Sequence, residues 1–235
     1  MREVVPIRHW MLETASYLVK GDRPYLVDTH SATIVKMLPT ILNILASNGV
    51  KTEDLTYILI THFHFDHVGN LAKLKALSNA RVVAGRMDVP FIEGRIPLPR
   101  PRGIDAVGKI FSLMPSWLWQ FEKATVDVAL EEGDRIDELG LDVLSLPGHT
   151  PGGTGFVDME AKRAFIGDIV FNMEGKIGWP FLSMSESLGD LRKSVERLAS
   201  LDLNYVYPGH GPVIGPNASQ LLREFLENDS NTCAS

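Results

Sequence analysis

Four side chains of the kinds that bind metals fall within six residues, His62-Phe63-His64-Phe65-Asp66-His67, just after the short apolar run Tyr57-Ile58-Leu59-Ile60. A run that brief and that uniformly apolar reads as a strand buried on both faces, so the cluster is predicted at the end of a central strand. Residues two apart in extended chain point the same way, which lets His62 and His64 address one position. As the chain turns into a helix carrying Leu71, Leu74 and Leu77 on one side, Asp66 and His67 are redirected towards a second position close by, while Phe63 and Phe65 face the core. Imidazoles this crowded would repel one another when protonated, and metal binding removes that conflict.

The rest of the chain reads as alternating strands and helices. Tyr17 to Val19 and Tyr25 to Val27 flank a Gly21-Asp22-Arg23-Pro24 turn and predict a hairpin ending in Asp28. A helix is expected between Ser31 and Ser47, with Gly49 as its C-terminal cap. Further strands are predicted over 141–146, 155–158, 164–166 and 205–207, and further helices from Ser185 onward and over 218–227 with Asn217 as N-cap. Each half thus holds a strand ending in aspartate, a helix, and a strand ending beside histidine: Asp28 with His62, then Asp168 with His210. Between the halves, residues 86–127 carry prolines at 90, 97, 99, 101 and 115 and the aromatic group Phe111, Trp117, Trp119 and Phe121. No short connection needs so many residues, and the segment is expected to be either a partly helical flap over the site or a subunit interface.

Three more metal-type residues stand in glycine-bordered turns after apolar strands: His149 in Pro147-Gly148-His149-Thr150-Pro151-Gly152-Gly153, Asp168 after Gly167, and His210 in Pro208-Gly209-His210-Gly211. With these motifs in this order, the chain resembles the metallo-β-lactamase superfamily over nearly its whole length apart from residues 86–127. The resemblance implies a single domain over residues 1–235, an α/β four-layer αββα sandwich with metals at one edge of two facing sheets. It implies that His62, His64 and His149 hold a first divalent ion, that Asp66, His67 and His210 hold a second, and that Asp168 bridges them. Zinc is the first expectation, with iron or manganese as alternatives. A hydroxide shared by the two ions would attack a small ester, lactone or phosphoester, and Asp66 would also pass a proton to the leaving group. Asp28 is expected to serve as a hydrogen-bonding residue, and His30 as an ordinary loop histidine.

Departures from individual branches narrow this further. Diiron oxidoreductases of the superfamily place glutamate where His64 stands, and homoserine-lactone hydrolases offer a tyrosine where Ile169-Val170-Phe171 follows Asp168. Hydroxyacylglutathione hydrolases add a helical region after the last histidine, where this sequence has a short tail. Thioester hydrolysis and mononuclear iron sulfur dioxygenase chemistry are the enzymatic alternatives, and a metal-binding scaffold without catalysis would be expected to have lost ligands. A formal net charge of -6 opposes attraction to nucleic acid. The single cysteine, Cys233, permits no internal disulfide. With no apolar signal core and no spanning stretch, a cytoplasmic protein acting on a small molecule away from membranes is expected, with a homodimer through 86–127 as the possible assembly.

Overall fold

The computed structural model describes residues 2–10, 13–104 and 106–233, without the side chains of Val107 and 231–233, so the expectation placed on Cys233 lies outside the described residues. Six strands form one sheet in sequential order: β1 (Val4–Arg8), β2 (Ala15–Val19), β3 (Tyr25–Val27), β4 (Tyr57–Ile60), β5 (Arg81–Gly85) and β6 (Val128–Leu130). The first three pair antiparallel, and β3 through β6 pair parallel. A second sheet holds β7 (Arg135–Ile136), β8 (Leu141–Ser145), β9 (Thr154–Asp158), β10 (Arg163–Gly167) and β13 (Tyr205–Pro208). There β13 lies parallel to β10 at the sheet edge. A hairpin of β11 (Phe171–Met173) and β12 (Lys176–Gly178) follows β10.

Side-chain alternation divides these strands between three apolar clusters. Leu18, Leu26, Ile58, Ile60, Val82 and Ala84 face outward from the first sheet, onto Ile41 and Leu45 of α1 (Leu38–Ser47) and Leu71 and Leu74 of α3 (Leu71–Leu77). Tyr17, Tyr25, Tyr57, Leu59 and Val83 face inward, meeting Leu141, Val143, Phe156 and Phe165 of the second sheet. The outer side of that sheet packs Val157, Ala164, Ile166 and Val206 against α6 (Leu188–Ser200) and α7 (Ala218–Cys233). Helix, sheet, sheet and helix therefore stack as four layers. The strands read as continuously apolar because both faces are covered, and each fully buried Leu or Ile contributes about 1.5–3 kcal/mol.

Helix α1 lies inside the expected 31–47 window and the helix expected from Ser185 starts three residues later, each start set by a hydrogen-bonding reason. Residues 31–37 form a turn, because the Ser31 hydroxyl accepts from the Thr33 and Ile34 amides, and α1 begins only where Pro39 supplies a first-turn residue. Helix α6 starts at Leu188, since the Ser187 side chain caps it by accepting from the Asp190 amide. The last helix runs to Cys233, beyond the expected end at 227.

The segment 86–127 contains α4 (Val89–Ile92), α5 (Ala106–Leu113) and a single helical turn at Ser116–Trp119. Its tryptophans do not act as one group. Trp119 is 8% exposed and sits edge-on to Phe65 and to Phe111, each at 5.1 Å between ring centroids, whereas Trp117 is 62% exposed. The two residues are two positions apart on a short helical turn, so only one of them can face the core. Among the described residues, no helix is long and apolar enough to cross a membrane.

Candidate metal centre

The seven residues singled out in the sequence converge at one edge of the two sheets. His62 follows β4, and the chain turns at His64 into the short helix α2 (Phe65–Val68), which carries Asp66 and His67. His149 lies in the loop between β8 and β9, Asp168 follows β10, and His210 follows β13. The parallel pairs β3–β4 and β10–β13 put Asp28 beside the His62 loop and Asp168 beside His210. Phe63 and Phe65 are buried in the outer cluster of the first sheet and anchor the loop that carries His62, His64, Asp66 and His67.

Three groups of donor atoms lie within 4.8 Å of one another: His62, His64 and His149; His62, His67 and Asp168; and Asp66, His67 and His210. Asp168 is central to them. Its Oδ2 is 3.3 Å from His210 Nε2, 3.4 Å from His149 Nε2 and 3.9 Å from His62 Nε2, and its Oδ1 is 3.4 Å from His67 Nε2. Asp66 Oδ2 stands 3.4 Å from His210 Nε2.

Hydrogen bonds behind the imidazoles determine which nitrogen faces inward. The Thr61 hydroxyl gives its proton to Asp28 Oδ2 at 2.7 Å, so His62 Nδ1, 3.0 Å away, must donate to Thr61 and present a bare Nε2. The Ser185 hydroxyl gives its proton to the Phe181 carbonyl at 3.0 Å, so His149 Nδ1 donates to Ser185 at 2.9 Å and likewise presents Nε2. His67 Nδ1 donates to Asp28 Oδ2 at 2.9 Å. His64 turns its Nδ1 towards His149 Nε2 at 2.8 Å. Imidazoles fixed from behind by hydroxyls and carboxylates are what metal ligands require.

The arrangement fits divalent ions on two observations. His62 Nε2, His67 Nε2 and Asp168 Oδ1 are buried without a hydrogen-bond partner, and such groups are costly unless something else occupies them. A side chain at Gly209 would place its Cβ 2.1 Å from Asp168 Oδ1 and 2.7 Å from His67 Cε1, so glycine keeps the interior of the cluster open.

The electrostatics divide the cluster in two. Burial, reinforced by neighbouring histidines, drives the His62 imidazolium well below its ordinary range and His149 down to about 3, and burial takes His64 down to about 4. Burial opposes charge on His67 as well, but Asp168, Asp28 and Asp66 outweigh it and raise His67 to about 9. His210 is raised well above its ordinary value, where Asp168 and Asp66 again overcome burial. Burial would raise the carboxyls, yet His67 and His210 hold Asp66 at about 2 and Asp168 well below its usual range.

Three supporting residues escaped the sequence reading. Thr61 orients His62, and Ser185 orients His149 from a segment far along the chain. Asp88 is buried and accepts from the Phe63 amide at 3.0 Å, the Thr150 hydroxyl at 2.8 Å and the Gly152 amide at 2.6 Å, tying the His62–His67 loop to the His149 loop. Its signal was present, since it is an acid just past the apolar strand β5, much as Asp28 and Asp168 follow theirs. His30 lies in a loop, as expected, and is fully buried there. Its Nε2 bonds the Ile7 carbonyl at 2.9 Å, and burial lowers it to about 4.

A family model described as the metallo-beta-lactamase superfamily matches residues 11–210. The chain belongs to this superfamily. Relatives of this metallo-beta-lactamase superfamily protein include a beta-lactamase-like protein 2 homolog from Caenorhabditis elegans, 25% identical over 216 residues that make up 92% of this chain and 61% of the relative. Hydroxyacylglutathione hydrolase GloC from Haemophilus influenzae is 30% identical over 133 residues, 53% of each protein. The chain therefore spans little more than half the length of these two relatives. Among solved structures, TTHA1623 in a di-iron-bound form is 31% identical, with a TM-score of 0.67 over 92% of this chain and 97% of that one. Superfamily members are metal-dependent hydrolases that bind divalent ions, often two, and the clustered histidines and aspartates here are suited to the same task.

Proposed function

We propose that this superfamily member hydrolyses a small ester, lactone or phosphoester using two divalent metal ions, with zinc as the first expectation and iron or manganese as the alternatives. His62, His64 and His149 would hold one ion and Asp66, His67 and His210 the other, with Asp168 reaching both. The observation that carries this reading is the single Asp168 carboxylate within 4 Å of four buried imidazoles. Divalent ions in such a site bring the pKa of water towards neutrality and draw off charge that develops on a substrate oxygen.

The protein's own groups supply positioning and proton transfer. Thr61, Asp28 and Ser185 hold His62, His67 and His149 in one tautomer, so no reorientation is needed during reaction. Asp66 is the more open of the two carboxylates in the cluster, its side chain 13% exposed against 5% for Asp168. A carboxylate so placed can take a proton from water and give it to the leaving group.

Thioester hydrolysis is the second reading, supported by the likeness to GloC over half of both proteins. Asp66→Asn in metal-loaded protein separates the cases. An alkyl ester, whose alkoxide needs a proton, is expected to lose turnover at least tenfold more than a nitrophenyl ester or a thioester, whose leaving groups depart as anions. Equal loss on all three reduces Asp66 to a ligand, and no hydrolysis of any ester, lactone, thioester or phosphoester by the loaded wild type removes the hydrolase reading.

A further inference from the structure

A cleft of about 270 Å³ opens beside the centre, lined by His64 and His149 of the centre together with Arg100, Arg102 and Ser183. Its volume falls just below the roughly 300–1,000 Å³ typical of ligand pockets, so it takes a small group. The two arginines differ in what they do. Arg102 is committed to the protein: its amide donates to the Ser183 carbonyl at 2.8 Å, and its guanidinium donates to the carbonyls of Leu182, at 2.9 Å, and Ser185. It fastens residues 97–102 to the loop whose Ser185 orients His149. Arg100 makes no hydrogen bond or ion pair with any other described residue. It stands between Pro99 and Pro101, with Pro97 nearby, so its backbone has little freedom to lose on binding a ligand.

The second group is Ser183, which lines the same cleft, is 2% exposed, and carries a buried hydroxyl without a hydrogen-bond partner. A buried hydroxyl is costly to leave unpaired, and a donor lining the same cleft as an unpaired guanidinium suits an anion that accepts from both. Glu186 also borders the cleft, and its negative charge favours a ligand with one acidic group over one with several.

We propose that this cleft is a specificity site for a carboxylate on the acyl part of the substrate, read by the Arg100 guanidinium and the Ser183 hydroxyl while the reacting carbonyl lies at the metal centre. The proposal deepens the hydrolase reading and rests on it for the position of the reacting bond. The preferred substrates are then half-esters or half-thioesters of short dicarboxylic acids.

The test compares 4-nitrophenyl acetate with mono(4-nitrophenyl) glutarate, which share a leaving group and differ in the terminal carboxylate. Wild-type protein loaded with metal should prefer the glutarate in kcat/KM. Arg100→Ala should lower that preference about tenfold or more, chiefly through KM, Arg100→Lys should restore part of it, and Ser183→Ala should lower it several-fold. A preference unchanged by Arg100→Ala overturns the proposal. Calorimetric titration of glutarate into the same metal-loaded proteins gives an answer independent of turnover: about tenfold weaker binding to Arg100→Ala at equal metal content is expected. Equal binding to both proteins refutes the site even if neither ester is hydrolysed, whereas failure of hydrolysis with intact Arg100-dependent binding refutes only the hydrolase reading.

Discussion

Loading the two metal positions should release protons unequally. At neutral pH His62, His64 and His149 are neutral, because burial holds all three far below their ordinary value, so an ion entering among them displaces almost no protons. His67 at about 9 and His210, raised well above its ordinary value by Asp168 and Asp66, are imidazolium ions in the metal-free protein. An ion entering among Asp66, His67 and His210 must expel both protons. For His67 alone the neutral form is about 1% of the population at pH 7, which weakens metal affinity about 100-fold, or roughly 2.7 kcal/mol. The sign follows from the raised pKa: affinity at this position increases with pH until His67 titrates, by as much as about 100-fold per unit while both imidazolium ions persist. Affinity at the three-histidine position should be flat above about pH 5. Calorimetry in two buffers of different ionisation enthalpy, with one and then two equivalents of zinc, measures this directly. About two protons are expected with the weaker equivalent and close to none with the tighter one. Equal release by both equivalents, or greater release by the tighter one, would refute the electrostatic division of the cluster.

Other outcomes follow from the same geometry. Asp168→Ala should weaken both metal positions, since four imidazoles lose their shared carboxylate, and unchanged metal content by elemental analysis would contradict a bridging role. Burial pushes the Asp88 carboxyl up to about 7, so between about pH 4 and 7 the folded state holds a proton that the unfolded chain releases, and stability from this group falls as pH rises. The melting temperature of wild type should accordingly fall relative to that of Asp88→Asn from pH 5 to pH 8, and a rise relative to the variant would be contrary to that sign. Trp119→Ala should destabilise the protein by about 3–5 kcal/mol, judged from its packing on Phe65 and Phe111, whereas Trp117→Ala should stay within about 0.5 kcal/mol in urea denaturation.

The cluster was legible because each stretch that carries its residues follows an apolar strand, and strand ends can be read from local composition. His62 follows Tyr57–Ile60 and Asp168 follows Arg163–Gly167, so positions far apart in sequence share one sheet edge once the parallel pairings form. The supporting contacts left no such mark. Ser185 reaches His149 across 36 residues and Asp88 reaches Gly152 across 64, through hydrogen bonds that depend on the finished packing. Strand β1 was missed for a related reason: it lies at a sheet edge with Ile7 as its one buried residue, so it lacks an apolar face to read. Trp117 and Trp119 look equivalent in the sequence, and only the turn that holds them decides which one is buried.

On the proposed reading, catalysis requires the seven-residue centre filled with two ions. Metal-stripped protein titrated with zinc, and separately with iron(II) and manganese(II), while hydrolysis of a nitrophenyl ester is followed, tests it most directly. Negligible activity is expected in the stripped protein, with a rise that levels off at two equivalents of the productive metal per chain. Full activity at one equivalent, or hydrolysis that survives complete removal of metal, would contradict it.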